Sequence, residues 1–330
     1  METERRRRLT PAVANVRRAV RAAFAGHLVE GDLVLVGLSG GADSLALAAA
    51  AAFEAPRAAL RAGAVVVDHG LQTGSADVAE RAAAQARELG LDPVLVSRVR
   101  VGGDDGPEGA ARAARHGAFE RALAETGARG ILLAHTLDDQ AETVLLGLAR
   151  GAGPTSLRGM AESSGSFLRP LLGIRRAETE RFCADSGLVP WHDPHNADPG
   201  YARVRVRRRV LPVLESELGP GIAEALARTA DQLREDSEAL DAMVLEFIEE
   251  ICEPAEAGIA VSVSALEANP AALRQRVIRY VVQSEFGVTL ERAHTLAVAR
   301  LVTDWHGQKA LDLPGVRVVR NGGRIVFTAA

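Results

Sequence analysis

The chain has 330 residues, a net charge of −4, and 47% hydrophobic but only 4% aromatic content. That suits a globular protein with an Ala/Val/Leu core and room for two domains. The acidic balance excludes a chain that coats nucleic acid over its whole surface, and any polyanion must meet local basic patches.

Arg5 to Arg8 are basic, but no apolar run follows them, so no secretion signal is expected. Nowhere do about 18 apolar residues run together as a membrane span. Cys183 and Cys252 are isolated and form no CxxC pair, which excludes a sequence-local cysteine metal or iron–sulfur site. Two reduced thiols and cytoplasmic residence are the expectation.

Thr10-Pro11 reads as an N-cap and first helical residue, opening a helix to about Gly26. Short apolar runs predict strands at 33–37, 64–68, 93–97 and 130–134, with helices near 44–53, 76–89 and 108–126 between them. Strand and helix alternate, so the fold class is α/β with a doubly wound parallel sheet. Gly151 to Ser166 reads as a long loop, followed by a helix near 175–186 and the polar stretch Trp191 to Tyr201. Five arginines follow within Arg203 to Arg209, where alternate spacing puts Arg203, Arg205 and Arg207 on one face if the segment is extended; the alternative is a helix beginning at Arg207 to Arg209. An uninterrupted helical pattern from Ile222 to about Ile251 predicts a long linking helix. Helices between Ala265 and Val302 and a β tail near 310–327 complete a smaller C-terminal α+β domain. The expected domains are residues 1–218 and 219–330.

Three strand ends carry polar clusters, and in doubly wound sheets ligands bind at those ends. The first is Ser39-Gly40-Gly41-Ala42-Asp43-Ser44, a glycine-rich turn between a strand and a helix start. Its glycines let backbone approach an anion, and the new helix offers free N–H groups. No Gly-Lys-Ser/Thr follows, so it is not the common NTPase loop. The second cluster is Asp68-His69, which reads equally as a turn cap or a nucleotide contact. The third runs from His135 to Thr143. Asp139 and Glu142 stand three apart on one helical face there, suited to Mg²⁺ or to an ammonium group. First-turn acids can also serve the helix dipole, which accounts for one of the carboxylates but not the whole cluster. Arg112 and Arg115 share a helical face and could clamp phosphate.

Ser-Gly-Gly-x-Asp-Ser resembles the pyrophosphate loop (PP-loop) of the N-type ATP pyrophosphatases. His135-x-x-Asp138-Asp139-x-x-Glu142-Thr143 narrows the resemblance to the tRNA(Ile)-lysidine synthetase family. So do Leu157-Arg158-Gly159-Met160, Arg169-Pro170-Leu171-Leu172, Trp191 to Asp198, and Tyr201-x-Arg203-x-Arg205-x-Arg207 with Val210-Leu211-Pro212, in that order. The resemblance spans about residues 30–215. Val204 stands where Asn is expected, and His116 where Tyr is usual.

The resemblance implies a Rossmann-like PP-loop fold and a two-step ligation. ATP adenylates the 2-carbonyl oxygen of the wobble cytidine in a CAU-anticodon isoleucine tRNA. Free L-lysine then attacks that carbon and expels AMP. It implies ATP and Mg²⁺ at Asp43, with Ser39, Gly40, Gly41, Ala42, Ser44, Asp68 and His69 at the nucleotide. Arg115 falls to the phosphate or adenylate, His135 to adenylation, Asp139 and Glu142 to the lysine ammonium, and Arg203, Arg205 and Arg207 to tRNA phosphates. A homodimer is compatible with the sequence. Two rivals are a 2-thiolation enzyme of the same fold, which would need cysteines, and a nucleotide-binding protein without chemistry.

Overall fold

Alternate residues of the first apolar run face opposite ways. Val34, Val36 and Leu38 join one buried cluster, and Leu33 and Leu35 join another. A strand with both faces covered requires helices on both sides of its sheet. The computed structural model describes residues 9–70, 74–99, 106–151, 153–255 and 258–330; Arg5 to Arg8 lie outside the described residues.

The chain divides into two compact units, the first ending at Leu233 and the second running Arg234–Ala330. In chain order the first contains α1 (Pro11–His27), β1 (Leu33–Leu38), α2 (Ala42–Glu54), β2 (Arg61–Asp68), α3 (Ser75–Glu88), β3 (Val94–Arg98), α4 (Gly106–Thr126), β4 (Gly130–Leu132), α5 (Leu137–Ala149) and α6 (Pro154–Leu157). It continues with β5 (Ser163–Ser164), β6 (Phe167–Leu168), α7 (Arg176–Ser186), α8 (Ala202–Arg205), α9 (Leu211–Leu218) and the opening turns of α10 (Ile222–Ile251).

Its sheet has the order β3-β2-β1-β4-β6-β5, parallel except for the β5–β6 pair. The order reverses between β1 and β4, so their carboxyl ends flank the crevice where such sheets take ligands. Buried residues of α1, α2, α3 and α7 pack on one face, and Phe119 and Ala122 of α4 on the other.

Two local expectations are corrected. The segment from Arg203 to Arg209 is helical through α8 and a π-helical turn over Val206–Val210, so the extended alternative does not hold and the helix expected to begin at Arg207 begins at Ala202. The stretch Gly151 to Ser166 is not a plain loop, because it carries α6 and the two-residue edge strand β5. The long helix runs as expected, but the two units meet inside it rather than at residue 218. Ala223 and Ala227 of its first turns bury with Leu137, Ala141, Val206 and Leu211 of the first unit.

The second unit adds β7 (Cys252–Ala255), β8 (Gly258–Ser262), α11 (Val263–Ala268), α12 (Ala271–Phe286), α13 (Arg292–Thr303), β9 (Leu311–Leu313), β10 (Val316–Asn321) and β11 (Arg324–Ala329). Its antiparallel sheet has the order β7-β8-β11-β10-β9. The sequence reading lacked β7 and β8, because Pro254 argues against a strand. Pro254 lies on the edge strand, where a missing N–H is tolerated.

Candidate active site

β1 delivers the chain to a turn in which Gly40 adopts φ +82°, a left-handed conformation that favours glycine. The Ser44 hydroxyl then holds the turn closed. It donates to the Gly41 carbonyl at 3.0 Å, accepts from the Ser39 N–H at 3.2 Å and lies 3.0 Å from the Ser39 hydroxyl. Helix α2 opens at Gly41 with no side-chain cap, so its first N–H groups are left for a ligand.

A cavity of about 350 Å³ opens beside this turn. It is lined by Ser39, Asp43, Ser44, Asp68, His69, Arg115 and His135, so three strand ends converge as the sequence predicted. Gly40, Gly41 and Ala42 shape the loop without lining the cavity. Trp191, Asp193 and His195 also line it, and sequence reasoning assigned them no role. The Trp191 N–H donates to the Gly40 carbonyl at 2.9 Å, which ties that segment to the phosphate loop.

Asp68 is largely a turn residue. Its Oδ1 accepts from the Gly70 N–H at 2.9 Å and its Oδ2 from Arg98 Nε at 3.1 Å. Burial alone would raise its pKa, but hydrogen bonds from Ser75, Gly70 and Arg98 carry it below the usual carboxylate value. His69 and His135 each keep a buried Nδ1 without a partner. Burial lowers the pKa of both, His135 to about 4, so the His135 imidazole is neutral at physiological pH.

Asp139 and Glu142 do not line the cavity but connect through Arg176 to Asp43, which does. Helix α5 begins with a capping box, in which Asp139 Oδ2 accepts from the Thr136 N–H and hydroxyl, each at 2.8 Å. Half of this carboxylate thus serves to cap the helix start. Its Oδ1 accepts from Arg176 Nη2 at 2.7 Å and Arg207 Nη2 at 3.3 Å. Burial would raise the Asp139 pKa, but the Arg176 charge and the Thr136 bonds hold it below the usual carboxylate value. Glu142, with a fully buried side chain, accepts from Arg207 Nε at 2.7 Å and from Arg176 Nη1 at 3.4 Å. Asp43 accepts from the Thr179 hydroxyl and from Arg176 Nε at 3.5 Å. Its pKa is raised, because burial outweighs those partners. Among the described residues the ion pairs of Asp43, Asp139 and Glu142 are with the guanidiniums of Arg176 and Arg207.

The three arginines expected to share a tRNA-facing surface part company. Arg207 turns into the carboxylates instead of presenting itself to a polyanion. Arg205 Nη1 donates to the Pro199 and Gly200 carbonyls at 2.7 and 2.8 Å. Arg203 lies near Arg115 and His135, whose pKa values its charge helps lower. Helical geometry sets Arg205 apart: residues four apart share a face, so Arg203 and Arg207 both turn toward the site, whereas Arg205, two residues from each, turns away.

Sequence reasoning missed Arg175, Arg176 and Thr179. A signal was present, because two arginines at a helix start oppose the helix dipole. Acids from α5 offset that cost. Asp138 Oδ2 accepts the Arg176 N–H at 2.8 Å, and its Oδ1 lies 3.1 Å from Arg175 Nη2.

Among the described residues no group of three or more His, Cys, Asp or Glu side chains forms a metal cage. Mg²⁺ needs less, since one or two carboxylates and substrate phosphates suffice. Asp43 fits that role: it lines the cavity, and its two protein donors leave acceptor positions open.

Comparison with known proteins agrees with this geometry. Residues 11–214 match the PP-loop domain family, and residues 262–326 match the TilS substrate binding domain. The tRNA(Ile)-lysidine synthase of Leifsonia xyli subsp. xyli is 69% identical over 301 residues, 91% of each chain. The chain belongs to the tRNA(Ile)-lysidine synthase family. A second member of this synthase family, from Thermobifida fusca, is 49% identical over 322 residues, covering 97% of this chain and 98% of that one. The solved structure of the U34-tRNA thiolase NcsA from Methanococcus maripaludis, with its 4Fe-4S cluster, superposes with a TM-score of 0.56 at 21% identity. It covers 68% of this chain and 80% of that one, a likeness of fold alone. Burial raises the Cys183 thiol to about 12 and the Cys252 thiol to about 11, so neither is a reactive thiolate. Among the described residues no helix is long and apolar enough to cross a membrane.

Proposed function

We propose that the protein joins free lysine to the 2-position of the wobble cytidine of a CAU-anticodon isoleucine tRNA, converting ATP to AMP and pyrophosphate. One observation carries the reading. Asp43 belongs to the phosphate-loop cavity and, through Arg176, to the acidic cluster of α5. A nucleotide site and a cation site thus meet at one side chain.

The chemistry follows from that adjacency. The cytidine O2 attacks the α-phosphorus and the bond to the β-phosphate bridging oxygen breaks, releasing pyrophosphate. The N–H groups opening α2 and the guanidinium of Arg115 receive the phosphate charge. Neutral His135 hydrogen-bonds at the reacting centre without adding charge. Asp43 would hold Mg²⁺, which would supply neutralisation of phosphate charge. The neutral ε-amine of lysine then bonds to C2, the C2–O bond breaks with its electron pair leaving on AMP, and the proton lost from the nitrogen passes to solvent. Asp139 stays ionised and suits charge recognition of the lysine ammonium beside Glu142. Arg203 and Arg205 are assigned to tRNA, and the second unit to tRNA outside the anticodon loop. The cytoplasm supplies all three substrates.

The test is mass analysis of the wobble nucleoside after incubation with tRNA transcript, ATP and lysine. A lysine-dependent mass gain at that nucleoside is expected. ATP turnover without lysine dependence would overturn the reading.

A further inference from the structure

Resting on the proposed function, we infer that Arg169, with Arg112, forms a phosphate site beside the nucleotide cavity that takes a backbone phosphate of the RNA next to the reacting cytidine. Arg169 directly follows β6, which runs parallel to β4, and the chain beyond β4 leads to His135. It therefore stands at the ligand-bearing edge of the sheet.

Its partners do not account for a half-buried cation. Arg169 Nη1 donates to the Ala161 carbonyl at 2.9 Å, while its Nε is buried without any partner. Among the described residues no carboxylate pairs with Arg169 or Arg112, although Arg175, Arg176 and Arg207 all hold carboxylates. The charge Arg169 feels most is the like charge of Arg112, and both burial and that repulsion lower its pKa. Arg115 and Arg203 add to the same positive field at His135, which only Asp139 opposes. Arg112 of α4 and Arg169 at the end of β6, brought together with no carboxylate partner among the described residues, call for an anion.

Two sources of phosphate are available, ATP and the RNA backbone. The cavity decides between them: Arg115 and His135 line it, whereas Arg112 and Arg169 do not. The guanidiniums outside the nucleotide cavity are left for the polynucleotide. The loop that Arg169 grips is itself held in place. Gln140 of α5 donates to the Met160 carbonyl and accepts its N–H, both at 2.7 Å.

The experiment measures binding of the CAU-anticodon transcript at several salt concentrations for the wild type, Arg169→Gln, Arg169→Lys and Arg112→Gln, with ATP binding in parallel. Each lost phosphate contact flattens the slope of log affinity against log salt by about 0.7 to 0.9, or roughly sixfold in affinity at 0.1 M salt. Both Gln variants are expected to show that flattening with ATP affinity unchanged, and Arg169→Lys to restore the slope. A role confined to holding Ala161 would leave the slope intact and would overturn the proposal. Weaker ATP binding with an unaltered RNA slope would assign the site to the nucleotide and overturn it as well. Arg112 is exposed, so its variant tests the site even if Arg169→Gln fails to fold. A wild type that binds no transcript would sink the proposed function and this site with it. An active wild type with unaffected variants would sink this site alone.

Discussion

Arg207 closes on Glu142 with both ends of its fork, Nε to Oε1 at 2.7 Å and Nη2 to Oε2 at 3.1 Å. The Glu142 side chain is 0% exposed and that of Arg207 29%, so the pair is held largely away from water. An arginine that reads in sequence as one of a tRNA-facing row is an internal partner of the acidic cluster.

Substitution at this pair should therefore affect the lysine step. Glu142→Gln is expected to raise the apparent KM for lysine at least tenfold while sparing ATP–pyrophosphate exchange. It should also cost about 1–3 kcal/mol of stability, because two guanidiniums lose their charged acceptor. Arg207→Ala should shift lysine KM without flattening the salt dependence of tRNA binding. Kinetics and salt titration on the same two proteins decide the matter. An unchanged lysine KM in both would remove the cluster from lysine recognition.

Asp43→Asn keeps the side-chain shape and removes the charge assigned to Mg²⁺. ATP–pyrophosphate exchange in the presence of tRNA is expected to fall at least a hundredfold, with the melting temperature close to wild type. Because burial raises the Asp43 pKa, the carboxylate protonates at higher pH than an ordinary aspartate. The acid limb of exchange in the wild type should thus begin above the ordinary aspartate value of 3.8. Full exchange activity in the Asn variant would remove Asp43 from the reaction.

His135 makes stability depend on pH in a defined window. Its folded pKa of about 4 lies below the unfolded value of 6.5, so between these values the unfolded chain binds more protons. The stabilisation is complete above pH 6.5 and is lost as pH falls toward 4. Its size is at most about 3 kcal/mol. His135→Gln should flatten unfolding free energy over that window, measured by denaturant titration at several pH values. Asp139 acts lower, because its depressed pKa places its acid loss below 3.8. An unaltered profile for His135→Gln would mean that the imidazole is hydrated in the folded protein.

Gly159 has φ +61°, and a Cβ there would lie 2.5 Å from Gln140 Oε1. Gly159→Ala combines about 1–2 kcal/mol of left-handed strain with displacement of the amide that grips Met160. A loss of about 2–3 kcal/mol is expected from both terms, together with weaker tRNA binding as the loop beside Arg169 loosens. Unchanged stability would show that the turn relaxes without cost.

The parallel sheet, the phosphate loop and the long helix were legible because each depends on local signals. Buried apolar runs mark β1, β2 and β4, Gly40 and Gly41 mark the turn, and an unbroken periodicity marks α10. The edge strands β5 and β7 were not legible. Two residues carry no period, and Pro254 hides its strand until an edge position makes it permissible.

By itself the sequence determined which residue types stand at each strand end, and so the convergence of Ser39, Asp43, His69 and His135 on one cavity. Only the tertiary structure decided the pairing of charges. Whether Arg207 meets a phosphate or Glu142 depends on residues 65 positions apart in the chain. It depends as well on the helical turn that rotates Arg205 away from Arg207. A carboxylate as buried as Glu142 must be matched by whatever cation the fold brings to it. That match is a property of the packed molecule, and no spacing in the chain records it.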